Sequence, residues 1–199
     1  TMTGAGTSTI SGIELITNSA AIIAVTGSAA SILNVQNCYL NCTNNTGITF
    51  STSSGSAFIN IQDCWGDLGT TGIGLFAHSS AGALQIWSSY FTNSGASTTA
   101  STASAGQLNI INSYLSSTVT TSSTNGVSIF NSSIICTAIN TTAYTGSGSG
   151  TSTLQLSTFA GGTASAITAS SNTTNVHNCI ADSSNTNAVT NGSRPDFKN

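Results

Sequence analysis

Charge is almost missing from this chain. Of its 199 residues only 4% are charged, against about 25% in an ordinary soluble domain. The charged residues are Glu14, Asp63, Asp67, Asp182, Arg194, Asp196 and Lys198, so no lysine or arginine precedes position 194. Nucleic-acid binding needs a basic surface to neutralise phosphates. Attraction to anionic lipid needs the same, and a P-loop needs its lysine. All three functions are excluded. The string Gly146-Ser147-Gly148-Ser149-Gly150 lacks the spacing of a dinucleotide fingerprint and reads as punctuation. Long apolar runs are also missing. The longest, residues 20–25, is far too short to cross a bilayer, and no membrane insertion is expected. No basic segment followed by an apolar stretch marks a signal peptide. The chain opens on Thr1-Met2, which reads as a processed product or a fragment.

What fills the chain instead is serine and threonine, about a third of all residues, with 38% hydrophobic residues and many β-branched ones. That hydrophobic fraction argues against disorder. An internal repeat organises it. Leu33-Asn34-Val35-Gln36-Asn37-Cys38-Tyr39-Leu40 aligns without gaps with the eight-residue strings that begin at Ile59, Leu84, Leu108 and Val127. Weaker copies begin at Leu154 and Thr174, and a possible eighth begins at Ile13. The first and third columns are apolar and the second is amide-rich, the period of two of a strand with one buried face. The fifth column, with Asn37, Asp63, Ser88, Asn112 and Asn131, reads as a polar corner. The sixth holds small groups that should be buried: Cys38, Cys64, Ser89, Ser113 and Ser132. A second short strand follows in segments such as 47–50 and 72–75. Segments 94–107 and 141–153 read as protruding turns or loose loops. In the copy at Leu154, Phe159 stands where a small residue is expected.

Stacked strand-turn-strand units of this kind make a β-solenoid. The columns resemble the coil of right-handed parallel β-helix, pectate-lyase-like proteins, and within that group the β-helical segments of bacteriophage tail spikes and fibres. The resemblance covers roughly residues 31–190. It implies an all-β, single-stranded right-handed parallel β-helix of about 7–8 coils, ~24 residues each. Its handedness comes from the resemblance alone. The β-helix domain is read as residues 1–192, with 193–199 a tail or junction. Neither end carries a recognisable cap.

Few residues offer chemistry. The five cysteines fall largely into inward columns and read as buried thiols, at least one of them unpaired. His78 and His177 lie on distant coils, so no metal site and no cofactor is expected. Asp63 and Asp67, flanking Trp65, are the only acid pair that could serve a glycosidase. The plainer reading gives Asp63 to the corner and Asp67 to a turn. The pectate-lyase resemblance would imply basic residues beside such acids, and the coils hold none.

The outward aromatics are more informative. The seventh column reads Tyr39, Trp65, Tyr90, Tyr114 on successive coils, and the fourth reads Gln36, Gln62, Trp87, Ile111, Phe130. Large outward apolar groups imply a partner. The candidates are a subunit interface, a glycan-binding platform or cover by the chain's own loops. The expected function is a non-enzymatic structural or adhesion module of a viral fibre or spike, at the virion or an extracellular surface. Such a module would be a homotrimer or contact neighbouring virion proteins, with a host glycan as a further partner. The alternatives are a polysaccharide depolymerase acting through Asp63 and Asp67, an ice-binding solenoid, or a lectin-like surface solenoid. Against ice binding, no column repeats Thr-x-Thr across coils.

Overall fold

The computed structural model describes residues 6–17, 23–25, 31–42, 48–50, 57–68, 76–78, 82–92, 99–103, 106–116, 118–122, 124–136, 141–171, 173–184, 188–191 and 196–198. It is a parallel β-solenoid with three sheets of nine, eight and eight strands. The first sheet stacks Gly6–Ser11, Ser31–Gln36, Ala57–Gln62, Gly82–Trp87, Gln107–Ile111, Val127–Phe130, Thr151–Gln155, Thr173–His177 and Asp196–Lys198. Two residues separate each of these strands except the last from a strand of the second sheet, with Glu14–Thr17, Tyr39–Cys42, Trp65–Leu68 and their successors. The third runs from Ile23–Val25 to Val189–Asn191. Every pairing among the described strands is parallel, as in Leu33↔Ile59, Ile59↔Leu84 and Leu84↔Leu108.

The alternation inside each string sets the core. Leu33, Val35, Ile59, Ile61, Leu84, Ile86, Leu108, Ile110, Val127 and Ile129 are all buried. At about 25 cal/mol per Å2 of apolar surface, this stacked column supplies the main drive to fold. The strings proved longer than one strand. Their last two positions belong to the second sheet, reached by a turn at the fifth column. Asn37, Asp63, Ser88, Asn112, Asn131, Leu156 and Asn178 hold φ between 46° and 52°, the left-handed region. Asn and Asp adopt it at lower cost than other side chains. Gly12, at φ 68°, occupies the same corner of the first coil.

Inside each corner a second column completes the turn. The hydroxyls of Ser89, Ser113, Ser132 and Ser157 donate to the carbonyls two residues back, at 2.7–2.8 Å. Each also accepts the backbone N–H of its counterpart on the preceding coil, as in Cys64 N to Ser89 Oγ at 3.1 Å and Ser89 N to Ser113 Oγ at 3.2 Å. Small polar side chains are needed here because buried N–H groups must find acceptors. Cys38, Cys64 and Cys179 take the same place, their thiols pointing to the carbonyls of Gln36, Gln62 and His177. Cys38, Cys64, Cys136 and Cys179 are free.

Several sequence expectations shift by a few residues. The first copy is in register from Ser8, which pairs with Leu33, and not from Ile13. Glycine at its corner had hidden it. The copy assigned to Leu154 starts at Ser152, because Ile129 pairs with Leu154. Leu156 then takes the left-handed corner, and Phe159 falls in the buried eighth column as a normal core residue. Segments 94–107 and 141–153 are not loose throughout: Thr99–Ala103 and Tyr144–Gly146 are strands of the third sheet. Tyr144 is fully buried, edge-on to Phe159 at 6.4 Å. Of the segment 72–75, no residue lies among those described; the third-sheet strand there is Phe76–His78. Asp196–Lys198 pairs with Asn175–His177 and so extends the first sheet.

Candidate functional site

The corner puts columns four and seven on either side of one edge of the solenoid. On the second sheet the register aligns Glu14, Tyr39, Trp65, Tyr90, Tyr114 and Ser133. These side chains face out because the eighth-column neighbours Leu40, Gly66, Phe91 and Leu115 face in. Trp65 is 49% exposed and Tyr90 53% exposed. Tyr90 and Tyr114 stack at 4.6 Å with planes 13° apart, and Tyr39 meets Trp65 at 6.2 Å, tilted by 49°. The outward row expected from the sequence is therefore present, one ring per coil. Burial raises the Tyr114 hydroxyl pKa above its ordinary value, and Tyr90 adds to the shift. Beside the row, Gly12, Ile13, Glu14, Asn37, Tyr39 and Trp65 frame a hollow of about 370 Å3.

Gly66 explains why a tryptophan is followed by no core side chain. A Cβ there would collide with the Leu40 carbonyl oxygen, so the coil closes up beneath Trp65.

Asp63 and Asp67 occupy different settings. Asp63 is exposed, holds the left-handed corner and accepts a hydrogen bond from Gln62 Nε2 at 3.1 Å. Asp67 points out from the second sheet between Asn41 and Thr92. Its Oδ1 is buried and has no hydrogen-bond partner among the described residues. The same left-handed φ at Asn37, Ser88, Asn112 and Asn131 accounts for Asp63 by backbone geometry alone. Among the described residues no three His, Cys, Asp or Glu side chains group into a metal-binding cluster.

The first sheet carries the other outward set. Trp87 is 44% exposed and Phe130 37% exposed, with Ile111 half-buried between them. Toward the N-terminal coils this column becomes Gln62 and Gln36. Together with the second-column amides Asn34, Asn60 and Gln85, they line a groove of about 200 Å3. Asn60 Nδ2 donates to Asn34 Oδ1 at 2.8 Å and fixes the floor of this groove.

The third sheet holds a feature that spacing in the sequence did not reveal. Thr-x-Thr does not recur, but one threonine column does: Thr102, Thr120, Thr145, Thr168 and Thr190 are in register on successive coils. Thr120, Thr145, Thr168 and Thr190 are partly exposed, and the Thr168 and Thr190 hydroxyls lie 3.0 Å apart. The variable lengths between strands had masked this column. No family model, curated protein or solved structure matches the chain, so its coils, corners and outward faces alone carry the functional argument.

Proposed function

We propose that the chain is a non-enzymatic structural or attachment module, a β-helical part of a viral fibre, spike or other virion surface protein of bacteriophage type. In this reading it assembles as a homotrimer through the second sheet. The observation that carries the reading is the outward row Tyr39, Trp65, Tyr90, Tyr114, in which Trp65 and Tyr90 are exposed and Tyr39 and Tyr114 half-buried. Such a row leaves apolar surface of roughly several hundred Å2, the range in which a soluble monomer's patch signals a partner. Soluble homo-oligomers generally close by point-group symmetry, and a heterologous contact that closes into a ring does not grow into a filament. The depolymerase alternative has weaker support, because backbone geometry accounts for Asp63 without catalysis.

The test is a double substitution, Trp65→Ser with Tyr90→Ser, followed by light scattering. The mass should fall from about three chains to one, with the circular dichroism of the β-solenoid kept. An unchanged mass would reject the second sheet as the subunit face.

The threonine column favours a second reading, an ice-binding surface, because it sets hydroxyls and methyls at the regular coil repeat on an uncharged sheet. Inhibition of ice recrystallisation by the whole chain, lost on Thr145→Lys with Thr168→Lys, would support it. No inhibition would dismiss it.

A further inference from the structure

The groove on the first sheet is distinct from the aromatic row and calls for its own occupant. Three successive coils build it from the same chemistry: Asn34 and Gln36, Asn60 and Gln62, Gln85 and Trp87. Five primary amides thus surround one indole, and no ionisable side chain lines the groove. A primary amide offers both donors and an acceptor, and Asn60 and Gln62 keep a second N–H beyond those given to Asn34 and Asp63. An apolar ligand would strip water from these amides and return nothing. An anionic ligand would find no cation there, since none precedes Arg194 in the chain. A neutral polyol meets every group: its hydroxyls pair with amides, and its C–H face covers an exposed ring. The Asn60–Asn34 bond already orients part of the floor, which lowers the ordering cost of binding. The groove runs with the coil repeat, so a saccharide lying along the solenoid axis meets amides on all three of these coils.

We propose that this groove, with Trp87 as its wall, binds a neutral saccharide, one ring stacked on the indole and its hydroxyls bonded to the amides of Asn60, Gln62 and Gln85. The proposal rests on the attachment reading for its setting but uses a different face.

The chain has two tryptophans, so Trp65→Phe leaves Trp87 as the sole indole reporter. Its fluorescence is titrated with neutral gluco-, galacto-, manno- and N-acetylglucosamine oligosaccharides, with an oligogalacturonate for comparison. At least one neutral series should give a saturable change at millimolar concentration or below, and the oligogalacturonate none. Gln85→Ala, an outward position, should weaken that binding tenfold or more with circular dichroism unchanged. The proposal is overturned if no neutral series perturbs Trp87, if the acidic oligomer binds equally well, or if Gln85→Ala leaves the affinity as it was. It is equally overturned if only Trp65 responds, read in a Trp87→Phe variant. Light scattering on the same samples reports the subunit face separately, so failure of one reading does not mimic failure of the other.

Discussion

The first and third sheets lie on one solenoid and obey the same parallel register, yet they are built from different material. In the first sheet each central strand buries two apolar residues, as Leu33 and Val35 or Ile59 and Ile61 do. In the third sheet a strand is three to five residues long and centres on a single large inward group: Val119, Tyr144 or Ile167. Its inward neighbours are small, as with Thr121, Gly146 and Ala169. The difference separates a sheet that sets the register from a sheet that inherits it. Two buried apolar columns joined to a left-handed corner admit one alignment, because a slip of one residue would turn the core face outward. The third sheet takes its register from the coil and can be made of threonine, which suits a strand without demanding burial.

Substitutions that break this contrast should fall in a clear order. Ile61→Asp in the first sheet puts a charge among Val35, Ile59 and Ile86 with no cation to meet it. Whether the carboxyl stays charged or takes up a proton, the loss is several kcal/mol, a large share of the roughly 5–15 kcal/mol that holds a typical domain, and the far-ultraviolet spectrum should be that of an unfolded chain. Gly66→Ala forces a methyl against the Leu40 carbonyl. A loss of about 3 kcal/mol in urea unfolding is expected, near the upper end for overpacking. Ser113→Ala removes the acceptor of the Ser89 N–H and the donor to Ile111 O. Leaving a buried N–H unpaired should cost about 2 kcal/mol. Thr145→Ala, outward on the third sheet, should change stability by no more than about 0.5 kcal/mol. A loss at Thr145 as large as that at Ser113 would mean that the third sheet also sets the register.

A pH test addresses the inner corner. Burial pushes the Cys64 thiol up to about 11, against the opposing effect of hydrogen bonds to the backbone of Cys38 and Gln62. The folded state therefore keeps the proton that the unfolded chain releases near its ordinary value of about 8.5. The stability tied to this thiol is complete below that value and declines as pH rises toward 11. Cys64→Ser, which keeps a small polar group at this place in the column, should flatten the decline in urea midpoint over that interval relative to the unaltered chain.

These contrasts also mark what could be read from residues alone. Columns one to eight were legible because a corner of constant length joins the first sheet to the second, so the strings align without gaps. The buried pairs, the outward aromatic row and the free thiols result from that alternation. Legibility failed where the corner residue was atypical. Gly12 and Leu156 hold the left-handed position without an Asn-like side chain, and both neighbouring copies were placed a few residues off. It failed again where connecting lengths vary, so the threonine column and the buried Tyr144 stayed hidden. The amide groove was half legible. Its columns were visible, but their meeting with Trp87 needs the coil-to-coil register.

The two outer faces are proposed to have different occupants, another copy of the chain on the second sheet and a neutral saccharide in the groove of the first. Trp65 marks one face and Trp87 the other. Acrylamide quenching of the Trp87→Phe and Trp65→Phe variants, each monitored over a dilution series, reads both faces directly. Trp65 should be shielded at high protein concentration and become quenchable on dilution, while Trp87 stays equally quenchable throughout. A Trp65 that is freely quenched at every concentration would contradict the account.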